Sequence, residues 1–540
     1  MVPVMDSIRQ CLLPPITFLM VFFLSPVSAA EPSCSDNDSS CDEPGIELTP
    51  IVVTATRRES LLEKVPVSVT ALSGDRLAAM GAVSFEDYAR SVPGLSFTDA
   101  GLGGKHFVIR GVSTGIHGGS DAATAVYLDE TPITDANSGP QTYSPDPLLV
   151  DIARIEVLRG PQGTLFGSGS MGGAIRIITN EPDPGAWGGF AEAILTDTRH
   201  GGVGHDFRAM LNAPLAEGRA AIRAVAFHRD TGGWIDNTLL GFNDVNSNET
   251  TGFRLAGMWS NQDRWTVKAS IISQERRSDG SGIDEDNPPW TQQRRVEEPN
   301  RDQWSVYNLK IDYEFDWGRL ISTTSRMDRA LDNLIDTTGF YQTILSPVFP
   351  PVILPEVVAV ELREQDDFIQ EIRLMSIGDN KIDWLLGLFY QDQDYFTEQQ
   401  VRAPGFDERT GGLATLFGPA DTLLVGRAKR PLEQFAAFGD VTWALGENWE
   451  GAIGGRWFRF EYEYESSGTG LLLQPPTSGQ ATADESGFTP KLGLSWSPKP
   501  ELMMYGIVAG GYRPGGANET AGEKFPGCQQ ELAFYGLSGI

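Results

Sequence analysis

Residues Asp146–Asp183 read DPLLVDIARIEVLRGPQGTLFGSGSMGGAIRIITNEPD, and they carry more information about the fold than any other part of the chain. Runs rich in Val and Ile at 155–158 and 174–179 are typical of short strands. Between them, Gly160–Pro161 and Gly163 favour tight turns. Four more glycines allow close backbone packing: Gly167, Gly169, Gly172 and Gly173. No Lys-Ser or Lys-Thr pair stands where a phosphate-binding loop requires it. The stretch therefore predicts a strand, a turn, a glycine-rich loop and a second strand.

On the N-terminal side of this stretch, residues 61–182 form a compact segment of mixed character. A helical pattern covers Gly74–Arg90, and short strands rich in Val and Ile follow at Phe107–Ile109 and Ala125–Leu128. Short strands joined by turns, together with one or two helices, are typical of a small α+β domain. We predict such a domain over 61–182.

On the C-terminal side, from about Trp187, apolar and polar residues alternate in long segments. In Tyr307–Trp317 the odd positions are apolar or aromatic and the even positions are charged or amide residues. Such alternation gives a strand one apolar and one polar face. A soluble β-sandwich alternates too, but strands of about ten residues suit a tilted membrane crossing, and aromatic strand ends such as Trp443 suit a membrane interface. We predict a mainly β chain with a transmembrane antiparallel β-barrel over 183–540, of which about thirteen strands are visible.

The first thirty residues have the pattern of a secretory signal peptide. Arg9 supplies a positive charge, Ile16–Leu24 is a short apolar run, and small residues end the segment at Ala29–Ala30. The apolar run is too short for a membrane anchor. Residues 31–60 begin as a polar, acidic segment that is typical of a flexible linker. Within the linker, Cys34 and Cys41 are a candidate disulfide pair, because export to an oxidising compartment permits disulfides.

Composition and motifs exclude several classes of function. The 540 residues include 72 Asp and Glu but only 42 Lys and Arg, a net charge of −30. So acidic a chain does not suit nucleic acid, which requires clustered cations. The sequence contains no H-E-x-x-H motif, no nucleophile elbow and no metal-ligand cysteine pair. We therefore expect no nucleic-acid partner, no catalysis, no cofactor and no metal site.

The motifs above carry a resemblance to a known family. Asp146–Asp183 closely resembles the end of the plug domain in TonB-dependent outer-membrane receptors. Phe107–Gly111 and Val126–Ile133 resemble other plug segments, and Phe368–Leu374 and Tyr505–Asn518 resemble strands of the barrel. The resemblance implies that residues 61–182 are a plug inside the barrel lumen. It also implies that the protein resides in the outer membrane of a Gram-negative bacterium, in contact with lipid.

Leu48–Arg57, which reads LTPIVVTATR, is the next informative segment. Its β-branched residues favour an extended backbone, which can join the edge of a partner's sheet through main-chain hydrogen bonds. In the light of the resemblance, six residues look like the TonB box, the segment that the periplasmic energy transducer TonB grips: Pro50, Ile51, Val52, Val53, Thr54 and Ala55.

The resemblance also implies how the plug is held. Arg110 and Arg159 fall in plug strands, and a buried charge needs a partner. Barrel glutamates are the expected partners, with Glu371 the first candidate for an ion pair between plug and barrel. An arginine solvated in a wet gap between the two is the alternative.

The glycine-rich segment 113–120 is expected to form a plug loop at the face that meets the ligand. Its candidate ligand-facing residues are Ser113, Thr114, His117 and Ser120. Haem capture by His117 is one interpretation, although no second histidine accompanies it. A plain loop histidine is the other.

Together these observations predict TonB-dependent active uptake of a scarce, bulky nutrient, first of all a ferric siderophore or similar iron complex. Cobalamin, haem or an oligosaccharide taken up by the same mechanism is the alternative, as is a passive porin-like barrel. A porin, however, needs neither a TonB box nor a plug.

We further expect the barrel to be incomplete at its C-terminus. About thirteen strands precede Ile540, whereas plugged transporter barrels close with about twenty-two. A truncated, non-functional gene product explains this, and so does a short form that pairs with another chain. Cys528, near the end, has no predicted partner.

Overall fold

A computed structural model describes residues 51–99, 104–113, 123–134, 144–280, 288–345, 354, 356–378, 380–473 and 475–514. The expected signal peptide, the candidate disulfide of Cys34 and Cys41, Pro50 and Cys528 lie outside these residues. Within them, no helix combines the length and the apolar character that a membrane crossing requires.

The N-terminal part of the described chain is an α+β domain, as the sequence predicts. Its elements are β1 (Val52–Val53), β2 (Ser60–Leu61), β3 (Val69–Ser73), α1 (Gly74–Ala79), α2 (Phe85–Ala89), β4 (Leu95–Asp99), β5 (Gly104–Ile109), β6 (Thr124–Leu128), β7 (Thr131–Pro132), β8 (Ser144–Pro145), β9 (Ile152–Arg159), α3 (Gly163–Phe166) and β10 (Gly173–Thr179). A five-stranded sheet has the order β3-β9-β10-β6-β7, in which β6 and β10 are parallel. Strands β4, β5 and β8 form a second sheet, and β1 pairs with β2. We call this domain the plug.

The helical pattern predicted over Gly74–Arg90 resolves into two short helices rather than one. Gly81, with φ of +66°, adopts a left-handed conformation just after α1 and ends it. Ser84 then caps α2 with a capping box, in which the Asp87 side chain accepts a hydrogen bond from the Ser84 backbone N–H. The helical periodicity of the sequence did not reveal this break, because the break depends on one glycine.

The remaining elements form a large antiparallel sheet with two short helices in its loops. They are β11 (Gly188–Asp197), β12 (Val203–Leu215), β13 (Ala220–Thr231), β14 (Asp236–Asn237), β15 (Asn248–Ser260), β16 (Trp265–Ser278), β17 (Thr291–Gln292), β18 (Asn300–Glu314), β19 (Gly318–Asp336), α4 (Thr338–Leu345), β20 (Val358–Ser376), β21 (Ile382–Arg402), α5 (Phe406–Thr410), β22 (Thr422–Lys429), β23 (Leu432–Ala444), β24 (Trp449–Thr469), β25 (Thr477–Lys499) and β26 (Leu502–Ala509). Fourteen of these described strands make one sheet, which we call the wall; β14 and β17 pair separately.

Neighbouring wall strands follow one another along the chain, with one local exception. Strands β22 and β23 both lie between β21 and β24, one after the other. The fourteen strands of the described wall therefore occupy thirteen positions, in agreement with the predicted number.

The wall has two chemically different faces. On β18, Tyr307 and Leu309 point away from the plug and are 43% and 40% exposed. On the other face, the Asn308 side chain donates a hydrogen bond to the Thr131 hydroxyl of the plug at 3.1 Å, and Trp304 packs into the plug core. The apolar set predicted from the alternation is thus the outward face.

Aromatic side chains cluster on the outward face at one end of the strands. The rings of Phe315 and Trp317 lie 5.2 Å apart, those of Trp317 and Trp384 lie 6.2 Å apart, and Trp449 stacks on Trp496 at 5.7 Å. Amphipathic rings at strand ends form the girdle expected at a membrane interface.

Candidate functional site: the charged contact between plug and wall

The segment proposed as the TonB box is docked on the plug from Ile51 onward. Val53, in β1, pairs with Ser60 of β2 and is fully buried, and Ala55 is 1% exposed. The Thr54 backbone N–H donates to Glu156 Oε1 at 2.8 Å, and its carbonyl accepts from Arg176 Nη1 at 2.9 Å. The end of the linker expected over residues 31–60 is therefore not flexible but packed against the plug. Its side chains contact apolar and polar residues of the plug.

Arg57, directly after this segment, ties it to both parts of the molecule. Its side chain is 1% exposed; Nη1 lies 2.9 Å from Glu130 Oε2 in the plug, and Nη2 lies 3.8 Å from Glu371 Oε2 in the wall. The guanidinium also stacks 4.4 Å from the Phe166 ring centroid. Burial alone lowers the pKa of Arg57, but nearby Glu371, Tyr127 and Glu130 raise it above its ordinary value.

Glu130, in the turn between β6 and β7, is shared by four cations. Its carboxylate lies 2.9 Å from Arg57 and Arg373 and 3.8 Å from Arg176 and Lys310. Burial raises the pKa of Glu130, but these four cations outweigh it and hold the pKa well below its usual range. Arg373 and Lys310 belong to the wall, so this carboxylate joins plug and wall.

Glu371 is a plug–wall partner in the structure, but its arginines are not the predicted ones. Among the described residues it pairs with Arg57 at 3.8 Å and with its wall neighbour Arg373 at 3.2 Å. Arg110 follows β5 with a positive φ of 54°, which turns its side chain into an exposed position. Arg159 Nη1 donates instead to the carbonyl of Pro93 at 3.3 Å. The expected pairing of Arg110 and Arg159 with Glu371 is therefore corrected: Arg57 takes that role.

The ligand-facing loop is described in one position only. Ser113 is exposed, whereas Thr114, His117 and Ser120 lie outside the described residues. Haem capture by His117 stays a prediction.

A second contact between plug and wall also centres on a plug carboxylate. Asp151, at the start of β9, accepts from Arg223 Nε at 2.7 Å and also pairs with Arg254, both from the wall. Its side chain is 3% exposed. The sequence did not reveal this contact or the roles of Glu130 and Arg57, because each pairing joins residues more than 70 positions apart and alternation shows only which face a residue lies on.

The two contacts differ in what they can do. Arg57, Glu130 and Glu371 form what we call the latch, since they connect the docked segment 51–55 to the wall. Asp151, Arg223 and Arg254 form what we call the anchor, which connects plug to wall without that segment. A pull on residues 51–55 therefore acts on the latch directly.

Comparison with known proteins identifies the chain. The family description "TonB-dependent Receptor Plug Domain" matches residues 62–174, and "TonB dependent receptor-like, beta-barrel" matches residues 200–536. The chain belongs to the TonB-dependent receptor family. The resemblance drawn from Asp146–Asp183 is thereby confirmed, as are the mainly β fold with plug and barrel and the outer-membrane location.

Curated relatives of this TonB-dependent receptor are distant in sequence. The pesticin receptor of Yersinia pestis is 24% identical over 503 residues, which is 87% of this chain and 65% of that protein. The hemin receptor of Yersinia pestis is 35% identical over 130 residues, or 24% of this chain and 18% of that protein. The chain thus spans 65% of the length of the pesticin receptor.

Solved structures support the same fold. The ferric yersiniabactin uptake receptor FyuA from Yersinia pestis has a TM-score of 0.70 at 19% identity, covering 83% of this chain and 65% of its own. The unliganded ferric citrate transporter FecA has a TM-score of 0.63 at 13% identity, covering 86% of this chain and 66% of its own.

Proposed function

We propose that this receptor takes up a bulky iron complex, first of all a ferric siderophore, across the outer membrane with energy supplied by a TonB transducer. The observation that carries the proposal is the docked segment Ile51–Ala55, which contains the short strand Val52–Val53 and is joined to the wall through Arg57. A segment of this kind offers backbone hydrogen bonds to a partner strand. In this proposal the receptor transports its ligand and does not convert it chemically.

The docked state limits how the transducer engages. Val53 is fully buried and paired with Ser60, so the segment has to leave β2 before a partner strand pairs with its full length. Undocking withdraws Thr54 from Glu156 and Arg176, and a continued pull draws Arg57 away from Glu130 and Glu371. Loss of those ion pairs loosens the plug on the side of β18 and β20, where a path for the ligand would open.

The names of the relatives support an iron complex as the ligand. FyuA is described as a receptor for ferric yersiniabactin, and its structural likeness covers most of this chain. Receptors for hemin and vitamin B12 are relatives too, but they match only 24% of the chain. Haem, cobalamin or an oligosaccharide is therefore the second candidate, with the same mechanism.

A passive porin-like barrel accounts less well for these contacts. A pore that works by diffusion gains nothing from a plug held by the latch and the anchor, nor from an extended segment tied to both parts. Plugged barrels are used by outer-membrane transporters.

Uptake assays test the ligand and the energy source together. Cells that produce the receptor would be given radiolabelled ferric siderophores of several chelate classes, haem, cobalamin and oligosaccharides, with and without a proton uncoupler. We expect one ferric siderophore to accumulate, and accumulation to stop with the uncoupler or without TonB. Accumulation that persists under both conditions would contradict active uptake. If only a non-iron ligand accumulates, and does so with energy, the proposed ligand is wrong but the proposed active uptake is supported.

A further inference from the structure

Arg456, on the inward face of β24, is a buried cation whose charge the described residues do not neutralise. Its side chain is less than 2% exposed, and the described part of the chain supplies no carboxylate within ion-pair distance of it. Nε donates to the Tyr512 hydroxyl at 3.2 Å, and the guanidinium lies 5.0 and 5.2 Å from the ring centroids of Phe389 and Phe438. Cation–π contacts offset only part of the cost of burying a charge.

The plug presents a small cavity to this guanidinium. The cavity has a volume of about 30 Å³ and lies between the plug loop Gly167–Gly169 and the wall, with Gln391, Gln434 and Arg456 among its lining residues. Gly167 has a φ of +72°, and a Cβ there would stand 3.1 Å from Arg456 Nη2, so this glycine allows the loop to approach the cation. A cavity of at least roughly 10–15 Å³ can hold one water molecule, so this one has room for a water molecule or for a halide ion of similar size.

Within the described residues, the Arg456 guanidinium uses only one of its three nitrogens in a hydrogen bond. Tyr512 Oη accepts from both Arg456 Nε and Gln434 Nε2, the latter at 2.6 Å, so its own proton is left to donate. Arg456 Nη1 and Nη2 make no hydrogen bond within the described residues. Glu371 also lines the cavity, but Arg57 and Arg373 already share that carboxylate.

The surrounding charges leave a positive excess. In the described chain, six cations and three carboxylates meet at this interface: Arg57, Arg154, Arg176, Lys310, Arg373 and Arg456 against Glu130, Glu156 and Glu371. Two carboxylates elsewhere on the same side of the wall are already paired, Asp440 with Lys491 at 2.7 Å and Asp383 with Arg58 at 3.5 Å. A buried cation needs a counter-charge, and an anion in the cavity would supply one.

We propose that a small monovalent inorganic anion of the size of chloride binds in this cavity. It accepts hydrogen bonds from Arg456 and lies against the plug loop Gly167–Gly169, so it bridges wall and plug. This site shares Glu371 with the latch, and it does not depend on which ligand the receptor transports.

Bromide, which replaces chloride and scatters anomalously, is the probe. The full chain in detergent would be crystallised with sodium bromide, and its thermal unfolding followed from low to high bromide at constant ionic strength, with gluconate as the balancing anion. We expect an anomalous peak within hydrogen-bond distance of Arg456 and a Tm that rises with bromide and saturates. A water-like peak without anomalous signal at this position would overturn the proposal.

Variants connect the bromide effect to this cation. Arg456→Gln should weaken bromide affinity at least about tenfold, because a hydrogen bond to a charged group is lost. Arg459→Gln is the matched control, since Arg459 lies three residues further along β24, half exposed, and pairs with Asp484. It should keep the anomalous peak and the bromide-dependent Tm. An unchanged bromide response in Arg456→Gln would contradict the assignment. If Arg456→Gln does not fold, the anomalous bromide peak of the wild type and the bromide-dependent Tm of Arg456→Lys test the assignment instead.

Discussion

The anchor and the latch hold the same plug to the same wall, yet they are built differently. In the anchor, one plug carboxylate, Asp151, meets two wall arginines, and every member lies in a strand or at its end. In the latch, Glu130 and Glu371 share Arg57, from the segment before β2, and Arg373 of the wall. The anchor is complete without residues 51–57, and the latch is not.

This difference indicates how a force on one short segment can reach the barrel. Because Arg57 bonds to a plug carboxylate and lies near a wall carboxylate, withdrawing it removes an ion pair on both sides at once. The anchor stays closed during that step and keeps the far side of the plug in place. We infer that the plug loosens on one side first rather than leaving the barrel as a whole.

The largest expected effect separates the two contacts by mutation. Glu130→Gln and Asp151→Asn should each lower the free energy of unfolding by about 3 kcal/mol, since each removes the nearest carboxylate from two buried arginines. This value is at the low end of the cost of removing one partner from a buried ion pair, because the Glu130 side chain is 17% exposed. Only Glu130→Gln should also expose segment 51–57, because Arg57 loses its nearest partner.

Urea unfolding measures the first effect, and alkylation of the Ala55→Cys variant, at a position that is 1% exposed in the docked segment, measures the second. Equal exposure of the segment in both variants would remove the distinction between latch and anchor. Unchanged exposure in Glu130→Gln would mean that Arg57 does not hold the segment.

The second largest effect tests which face of the wall points outward. Both contacts require the opposite face to meet the plug. Leu309→Arg places a charge on the outward face of β18, and it should cost about 2–4 kcal/mol if that face meets the middle of the bilayer. Gln303→Arg, on the same face but nearer the loop end of the strand, should cost about 0–1 kcal/mol. Folding titrations in lipid vesicles measure both. Equal costs at the two positions would argue against a membrane-facing outer surface.

The smallest expected effect is that of low pH on the docking of segment 51–57. Because its cations depress the pKa of Glu130, the carboxylate stabilises the folded state fully above the ordinary carboxyl pKa, and that stabilisation is lost only as pH falls through the depressed value. Lowering the pH from about 7 to about 5 should therefore leave the segment docked. Alkylation of the Ala55→Cys variant across this pH range measures it, with Glu130→Gln as the variant that is undocked at both pH values. Release of the wild-type segment near pH 5 would contradict the assigned charge state.

Much of the fold could be predicted from the sequence, because the sequence features that determine it are local. Alternation over Tyr307–Trp317 predicts which face of β18 meets the plug, and Asp146–Asp183 predicts β9 and β10 with a turn and loop between them, in which the structure adds the short helix α3. These features depend on residues near one another in the chain. Glu371 could be named as a plug–wall partner because Phe368–Leu374 resembles a barrel strand of the family.

The partners of that glutamate were not predictable in the same way. Arg110 and Arg159 stand beside strands in recognisable motifs, but a positive φ turns Arg110 outward and Arg159 donates to a carbonyl. Arg57 and Glu130 are 73 residues apart and meet only once β1, β6 and β20 have taken their places. Long-range register, which alternation does not encode, decides such pairs.

Uptake by a Val53→Pro variant tests the central claim, that Ile51–Ala55 couples an energy source to the plug. Proline removes the backbone N–H of Val53 and prevents strand pairing, while Val52→Ala, at a half-exposed neighbour, keeps every backbone donor. With the radiolabelled ligand that the wild type accumulates, we expect Val53→Pro to bind it at the cell surface at near wild-type levels but not to accumulate it, and Val52→Ala to do both. Normal accumulation by Val53→Pro would contradict the account.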